Sequence, residues 1–197
     1  MRELSLHLLD LLENARSAGA NQVEVHIDEN LEADRLTIFV RDDGQGMDAE
    51  TAQRATDPFF TTRTTRCIGL GLPLLAAAAQ QCGGHLHLES APGEGTAVTA
   101  AFQYSHIDRA PLGKIVDTLL AFLLAEGPSG TTQAPRLVYR HQVDGRSFEL
   151  DTAVIQAEVG DVPLSYPPLR EWLRHYLAEE EAGLESCSMG RSSLRRS

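Results

Sequence analysis

Residues 42–47 read Asp-Asp-Gly-Gln-Gly-Met and follow directly on residues 35–41, RLTIFVR, in which apolar and polar side chains alternate. Such alternation predicts a half-buried strand. A carboxylate at the end of a strand can accept a hydrogen bond from an exocyclic amine, and nearby glycines let a ligand approach the backbone. The same residues could form an ordinary turn, so a ligand site needs support from the rest of the chain.

Residues 4–18 predict a helix, because leucines recur at helical spacing and Gly19 follows as a C-cap. Asp10 and Asn14 are four residues apart and therefore share one face, which flanks the leucine stripe. Carboxylate and amide oxygens can hold Mg²⁺ and orient a water molecule. An exposed polar edge is the alternative interpretation.

Two further glycine motifs occur downstream. Residues 69–72, Gly-Leu-Gly-Leu, open a predicted helix that runs to Cys82, and a helix N-terminus favours phosphate. No Gly-Lys-Ser/Thr follows, which excludes a Walker A loop. Residues 93–96, Gly-Glu-Gly-Thr, lie between two alternating stretches and could be a plain hairpin turn.

The predicted order is helix-strand-strand-helix-loop-helix-strand-strand, which favours an α+β fold with helices on one face of a sheet. The pattern changes near residue 105, and we predict a domain at 1–105, a small C-terminal α/β domain at 106–182 and a disordered tail at 183–197. The later elements are predicted as a helix at 111–126, a hairpin of 136–143 and 146–151 around Asp144-Gly145, and helices at 152–158 and 167–182.

Five stretches occur in a fixed order: LLENARSAGA, DDGQGM, DPFFTTR, GLGLPL and GEGT. They resemble the N, G1, F, G2 and G3 boxes of the gyrase, heat-shock chaperone, histidine kinase and MutL (GHKL) ATPases. The resemblance covers residues 4–102. It implies a two-layer α/β sandwich, the Bergerat ATP-binding fold, for these residues, with ATP and Mg²⁺ as ligands; the predicted C-terminal α/β domain would be a small extension of that fold.

The resemblance also implies roles for individual residues. Asn14 would bind Mg²⁺, and Asp10 stands where some members carry the general base. Asp42 would accept from the adenine amine, and Thr96 would support Asp42 or a water molecule. The remaining implied nucleotide contacts are Gly44, Gly46, Met47, Phe60, Thr61, Arg63, Arg66, Gly69, Leu70, Gly71 and Leu72.

Two departures from the family pattern bear on chemistry. Asp10 replaces the glutamate of the gyrase and MutL branches and is one methylene shorter, so activation of water would be weak or would need a partner. The stretch between Phe60 and Gly69 is short, and Lys114 is the single lysine. We therefore expect Arg63 or Arg66 to offset the charge of the γ-phosphate.

Composition excludes several classes of protein. A formal net charge of −11 argues against a sequence-independent nucleic-acid binder. Three widely spaced cysteines support neither a disulfide framework nor a zinc site. No stretch has the length and apolar character of a membrane span, and the first residues lack the order of a signal peptide, so we expect a cytoplasmic protein.

Three uses of ATP are open. The first is phosphorylation or regulation of a partner protein in trans by a histidine-kinase-like mechanism, which we favour; His7 and His106 are weak candidates for self-phosphorylation. The second is a conformational switch of the MutL or chaperone type, which would include a homodimer. The third is a module that senses ATP without turnover.

Overall fold

The computed structural model describes residues 3–56, 71–125 and 135–192, with side chains described up to residue 184. The helices are α1 (Leu4–Ser17), α2 (Ala49–Arg54), α3 (Gly71–Gln81), α4 (Ile115–Leu124), α5 (Thr152–Val159) and α6 (Pro167–Ser192). The strands are β1 (Gln22–Asn30), β2 (Arg35–Asp42), β3 (His85–Ala91), β4 (Gly95–Gln103), β5 (Arg136–Val143) and β6 (Arg146–Asp151). Among these helices, none is both long and apolar enough to cross a bilayer.

The six strands form one mixed sheet in the order β3-β4-β2-β1-β5-β6. All neighbouring strands are antiparallel except β1 and β5, which are parallel, with Val25 opposite Tyr139. The parallel pairing requires a long crossover, and the chain from β4 through α4 supplies it.

Alternation along the strands divides the sheet into two faces. Val23, Val25 and Ile27 of β1 are buried beneath the helices, whereas the residues between them, including His26, are half-buried on the opposite face. His26 contacts Phe39 there, with ring centroids 5.5 Å apart. In the described part of the chain, helices cover one face of the sheet, so the predicted α+β fold, a two-layer sandwich, is confirmed.

Helix α1 connects the sheet to α4. Its leucine stripe is buried against the sheet, as the periodicity predicts. Arg16 is also buried: its Nη2 donates to the Phe122 carbonyl, and its guanidinium lies 4.6 Å from the Phe122 ring centroid. Glu13 pairs with Arg16 at 3.1 Å, so the guanidinium keeps an anionic partner.

The C-terminal part differs from its prediction at two helix ends. Helix α4 begins at Ile115 instead of 111, because the carbonyls of Pro111 and Leu112 accept from the first N–H groups of α1. Helix α6 continues to Ser192, ten residues into the tail predicted as disordered at 183–197.

The sheet and one hydrophobic core include residues on both sides of the predicted boundary near residue 105. The predicted C-terminal unit, 106–182, therefore extends the first sheet and packs with it without a gap. The division into two domains stays a prediction.

A buried ionic cluster fastens α6 to the sheet at the end of β1 that is distant from Asp42. His141 of β5 lies 2.8 Å from the Glu181 carboxylate through Nδ1 and 3.0 Å from the Glu29 carboxylate through Nε2. The Tyr139 hydroxyl donates to the second oxygen of Glu181 at 2.6 Å. Strands β1 and β5 and helix α6 are thereby joined by charged hydrogen bonds.

Candidate functional site

Asp42 ends β2 and lies opposite Thr96 of β4. Its Oδ1 accepts from the Gly44 N–H at 2.9 Å, and the Thr96 N–H provides a second hydrogen bond. Burial raises the pKa of the Asp42 carboxyl, and the two backbone donors oppose that effect in part. The result is a half-buried acceptor whose backbone donors hold it in one orientation.

The turn after Asp42 fits closely against its neighbours. Gly46 has φ +65°, and a Cβ there would lie 1.9 Å from the Ala91 carbonyl oxygen. A Cβ on Gly44 would lie 2.8 Å from the Ala18 Cβ. Only glycine allows these approaches, and the backbone wall beside Asp42 depends on them.

Ser90 organises the other side of this turn, a role that the sequence analysis missed. Its Oγ accepts from the Met47 N–H at 2.8 Å and donates to the Gly95 carbonyl at 2.9 Å. Because its single hydrogen is used, the Thr96 hydroxyl, 3.0 Å away, must be the donor in that contact. Ser90 pairs with Thr96 across the β3–β4 hairpin, so a register deduced from the turn could have identified it.

Asp43 was also missed. Its Oδ1 accepts from the N–H groups of Asn21 and Gln22 at 2.7 and 2.9 Å. The Gln45 N–H donates to the Ala18 carbonyl at 3.0 Å. These bonds tie the turn that follows β2 to the start of β1 and to the end of α1. The sequence signal was the paired aspartate at 42 and 43.

A second group of predicted residues meets at the start of α3. A Cβ on Gly71 would lie 2.9 Å from the Asp10 Cβ and 3.2 Å from its Oδ2, so α3 begins directly against Asp10. Asn14 is half-buried one turn further along α1. The start of α3 thus lies beside the Asp10 carboxylate, and the Asn14 amide is one helical turn from Asp10 along α1.

Helix α1 connects the two groups. Asp10 contacts the start of α3, and Ala18 packs against Gly44 beside Asp42. Ala18 follows Asp10 by eight positions, which corresponds to about 12 Å along the helix axis, and Asn14 lies midway. The predicted carboxylate acceptor, amide and glycine turn are therefore neighbours along one side of α1.

The other predicted residues are placed as follows. Met47 is partly buried against the core, and Leu72 is buried in it. His7 is buried too, and burial lowers its pKa, so an accessible phosphoacceptor at this position is not supported. Outside the described residues lie Phe60, Thr61, Arg63, Arg66, Gly69 and Leu70.

The side-chain oxygens described above suit the two implied ligands, an adenine amine and Mg²⁺. A half-buried carboxylate between backbone walls suits an exocyclic amine, and an amide oxygen beside a carboxylate suits a hard cation. Mg²⁺ usually takes only one or two protein oxygens and completes its shell with phosphate and water. Asn14, with Asp10 nearby, supplies oxygens of this kind.

Comparison with known proteins points in the same direction. A family model described as histidine kinase-, DNA gyrase B-, and HSP90-like ATPase matches residues 2–106. The sensor protein kinase FleS of Pseudomonas aeruginosa is 41% identical over 109 residues, which cover 55% of this chain and 26% of that protein. A putative sensor protein of Shewanella frigidimarina is 31% identical over 109 residues, 54% of this chain and 17% of that protein.

The DNA mismatch repair protein MutL of Bacillus licheniformis is 26% identical over 180 residues, 84% of this chain and 25% of that protein. The chain spans about a quarter or less of the length of these relatives. The family model covers more than half of the chain, and its span contains every residue of the site described above. The chain therefore belongs to the family of histidine kinase-, DNA gyrase B-, and HSP90-like ATPases.

Proposed function

We propose that this protein binds ATP with Mg²⁺ and acts in signal transduction by phosphorylating or regulating a partner protein in trans. The observation that carries the proposal is the arrangement along α1. The Asp42 turn packs at Ala18, the start of α3 packs at Asp10, and Asn14 lies between them. One nucleotide lying along this helix would have its base at Asp42 and its phosphates at α3.

Asp42 would recognise the base. The carboxylate is already engaged by backbone N–H groups, with the Gly44 N–H on Oδ1, so it is oriented before the ligand arrives. A hydrogen bond to an amine is stronger in such a half-buried place than in water. Met47 and the Gly46 backbone would supply the apolar wall on which the ring lies.

Asn14, Asp10 and the first turn of α3 would serve the phosphates. The N–H groups at the start of α3 favour an anion. Asn14 would hold Mg²⁺, which when bound draws charge from the phosphate oxygens. Asp10 would orient the attacking group and accept its proton, with the short side chain keeping basal hydrolysis slow.

Nucleotide binding is the first test. Asp42→Asn should weaken ATP binding about tenfold to a hundredfold, because it removes a hydrogen bond to a charged acceptor. Asn14→Ala should remove the Mg²⁺-dependent part of the affinity. Asp28→Asn is a matched control on the open face of β1 and should bind like the wild type. Equal affinity in Asp42→Asn and the control would contradict the proposed base site.

Phosphotransfer is the second test. The chain is incubated with γ-labelled ATP in an extract of the cells that produce it, alongside Asp10→Asn. Label should enter a partner protein with the wild type and should be lost with the variant, and its stability to acid and base identifies the phosphorylated residue type. Label that is independent of Asp10, or no labelled protein at all, would refute transfer in trans.

A conformational switch is the second candidate, and one observation favours it. The similarity to MutL continues through 84% of the chain, and β5 extends the same sheet that carries the site. On this hypothesis ATP would drive self-association. Light scattering with and without ATP should show a doubled mass; an unchanged mass would count against the switch.

A further inference from the structure

The start of β5 reaches the base of the Asp42 turn through two peptide groups. The Asn21 and Gln22 N–H groups donate to Asp43, as described above. On their other side, the Asn21 carbonyl accepts from the Arg136 N–H at 2.8 Å. Residues 21 and 22 are thus held between the turn and the first residue of β5.

The Arg136 side chain strengthens this connection. Its guanidinium donates from Nη1 to the Gln22 side-chain oxygen at 3.2 Å and from Nε to Asp151 Oδ1 at 3.0 Å. A second bond runs from Nη2 to Asp151 Oδ2, which makes the pair bidentate. Asp151 ends β6 and accepts from the Ala153 N–H at 2.9 Å, so the same carboxylate caps α5.

We propose that Arg136 is a positioning residue for the base end of the nucleotide site, acting with Asp151 through residues 21 and 22 and Asp43. The Arg136 bonds to Asn21 and Gln22 fix the start of β1 relative to β5, and the ion pair with Asp151 holds the guanidinium in the orientation that makes the Gln22 bond. Because Asp43 accepts from the same two residues, their position would determine that of the adjacent Asp42. Nucleotide binding would in turn restrict β6 and the start of α5. This inference rests on the proposed ATP site and assigns the C-terminal extension a part in it.

The fold itself does not depend on Arg136. Strand β5 pairs with β1 over eight residues, and the cluster of His141, Glu29 and Glu181 fastens the opposite end. The Arg136 side chain is 45% exposed and that of Asp151 16%, so solvent reaches the pair from the arginine side and its contribution to stability should be small. If removing the Arg136 side chain changes the affinity for the nucleotide, the change would therefore reflect the position of the site and not a loss of folded structure.

Affinities for ATP, GTP and inorganic triphosphate are measured by titration calorimetry on the full chain. Arg136→Gln should weaken ATP binding about threefold to fivefold, in proportion to an exposed ion pair, and reduce discrimination against GTP. Triphosphate affinity should not change, because the phosphate end is served by α1 and α3. Asp151→Asn should behave alike, and the double variant should lose no more than either single variant.

Arg140→Gln is the matched control, since it removes the same charge from the same strand four residues away. The inference is overturned if Arg136→Gln keeps wild-type ATP affinity and discrimination. It is overturned also if Arg136→Gln and the control Arg140→Gln each weaken the binding of all three ligands equally, because that result would indicate a general effect of removing a positive charge. If the wild type itself binds no ATP, the proposed function is refuted. That result is distinct from one in which the wild type binds ATP and Arg136→Gln binds it equally well, which refutes only the positioning role.

Discussion

Raising the pH from 6.5 to 10 should lower the free energy of unfolding, because it removes a proton from His141. Both ring nitrogens of His141 face carboxylates, so both must carry hydrogen. Burial opposes this charge, but the hydrogen bonds and negative charges of Glu181 and Glu29 outweigh it and raise the pKa of His141 to about 9. The side chain is 3% exposed, so solvent screens these interactions little.

The size of the effect follows from proton linkage. The pKa of His141 rises from 6.5 to about 9, and each unit is worth about 1.4 kcal/mol, which amounts to about 3 kcal/mol. Between these values the folded protein binds more protons than the unfolded chain, so stability falls as the pH rises. The contribution is complete below pH 6.5 and is lost as the pH passes 9. Burial also raises the pKa of the neighbouring hydroxyls of Tyr139 and Tyr104, so they stay neutral to higher pH in the folded protein than in the unfolded chain.

Urea unfolding followed by circular dichroism, at several pH values, measures this contribution. His141→Gln leaves Glu29 and Glu181 without their cation and should destabilise the protein by about 3–5 kcal/mol at pH 6.5. The difference from wild type should narrow as the pH approaches 10. His175→Gln is the control, because His175 is exposed on α6. A wild-type-minus-variant difference that stays constant with pH, or matches the control, would refute the reasoning.

Three further predictions concern single side chains and are measured as unfolding free energies. Asp42→Asn should leave stability unchanged or higher while it weakens ATP binding, since burial raises the pKa of the native carboxyl and thus disfavours its charged form. Gly46→Ala should destabilise the protein by more than about 2 kcal/mol, because a Cβ there would collide with the Ala91 carbonyl. Gly93→Ala, also at positive φ but with open space around the added Cβ, should destabilise it by about 1 kcal/mol. Similar losses in the two variants would contradict the role of the close approach at Gly46. Arg16→Ala should lose about 2 kcal/mol or more, because the guanidinium and its Phe122 carbonyl acceptor are buried. Arg174→Ala, in an exposed pair, should lose less than about 1 kcal/mol, and equal losses would be the contrary outcome.

Local patterns predicted most of the fold. Alternation identified the strands, the Asp144-Gly145 turn identified the last hairpin, and the leucine stripe identified α1. The parallel pairing of β1 with β5 was not predicted, because more than a hundred residues separate the two strands and no local pattern encodes the partner. The predicted start of α4 at residue 111 was wrong for a related reason. The Pro111 carbonyl accepts from the Leu4 N–H of α1, which is distant in the sequence.

The candidate site was predicted unevenly. Motif spacing predicted Asp10, Asn14, Asp42 and Gly71. The structure places the first two on α1, with Gly71 packed against Asp10 and the turn after Asp42 packed against Ala18; their roles stay predictions. Ser90 was missed because its importance depends on strand register and on which donor its hydroxyl uses. Such contacts follow from geometry that a single sequence does not reveal.

The position of β5 has a consequence for shortening the chain. A protein that stopped at residue 105 would leave the backbone amides and carbonyls of β1 without neighbours on one side, because β5 occupies that edge. It would also uncover apolar side chains of α1 and leave Arg16 without its Phe122 carbonyl. An open strand edge beside a bare apolar surface recruits other copies, so the shortened protein should form aggregates even though it retains every nucleotide motif.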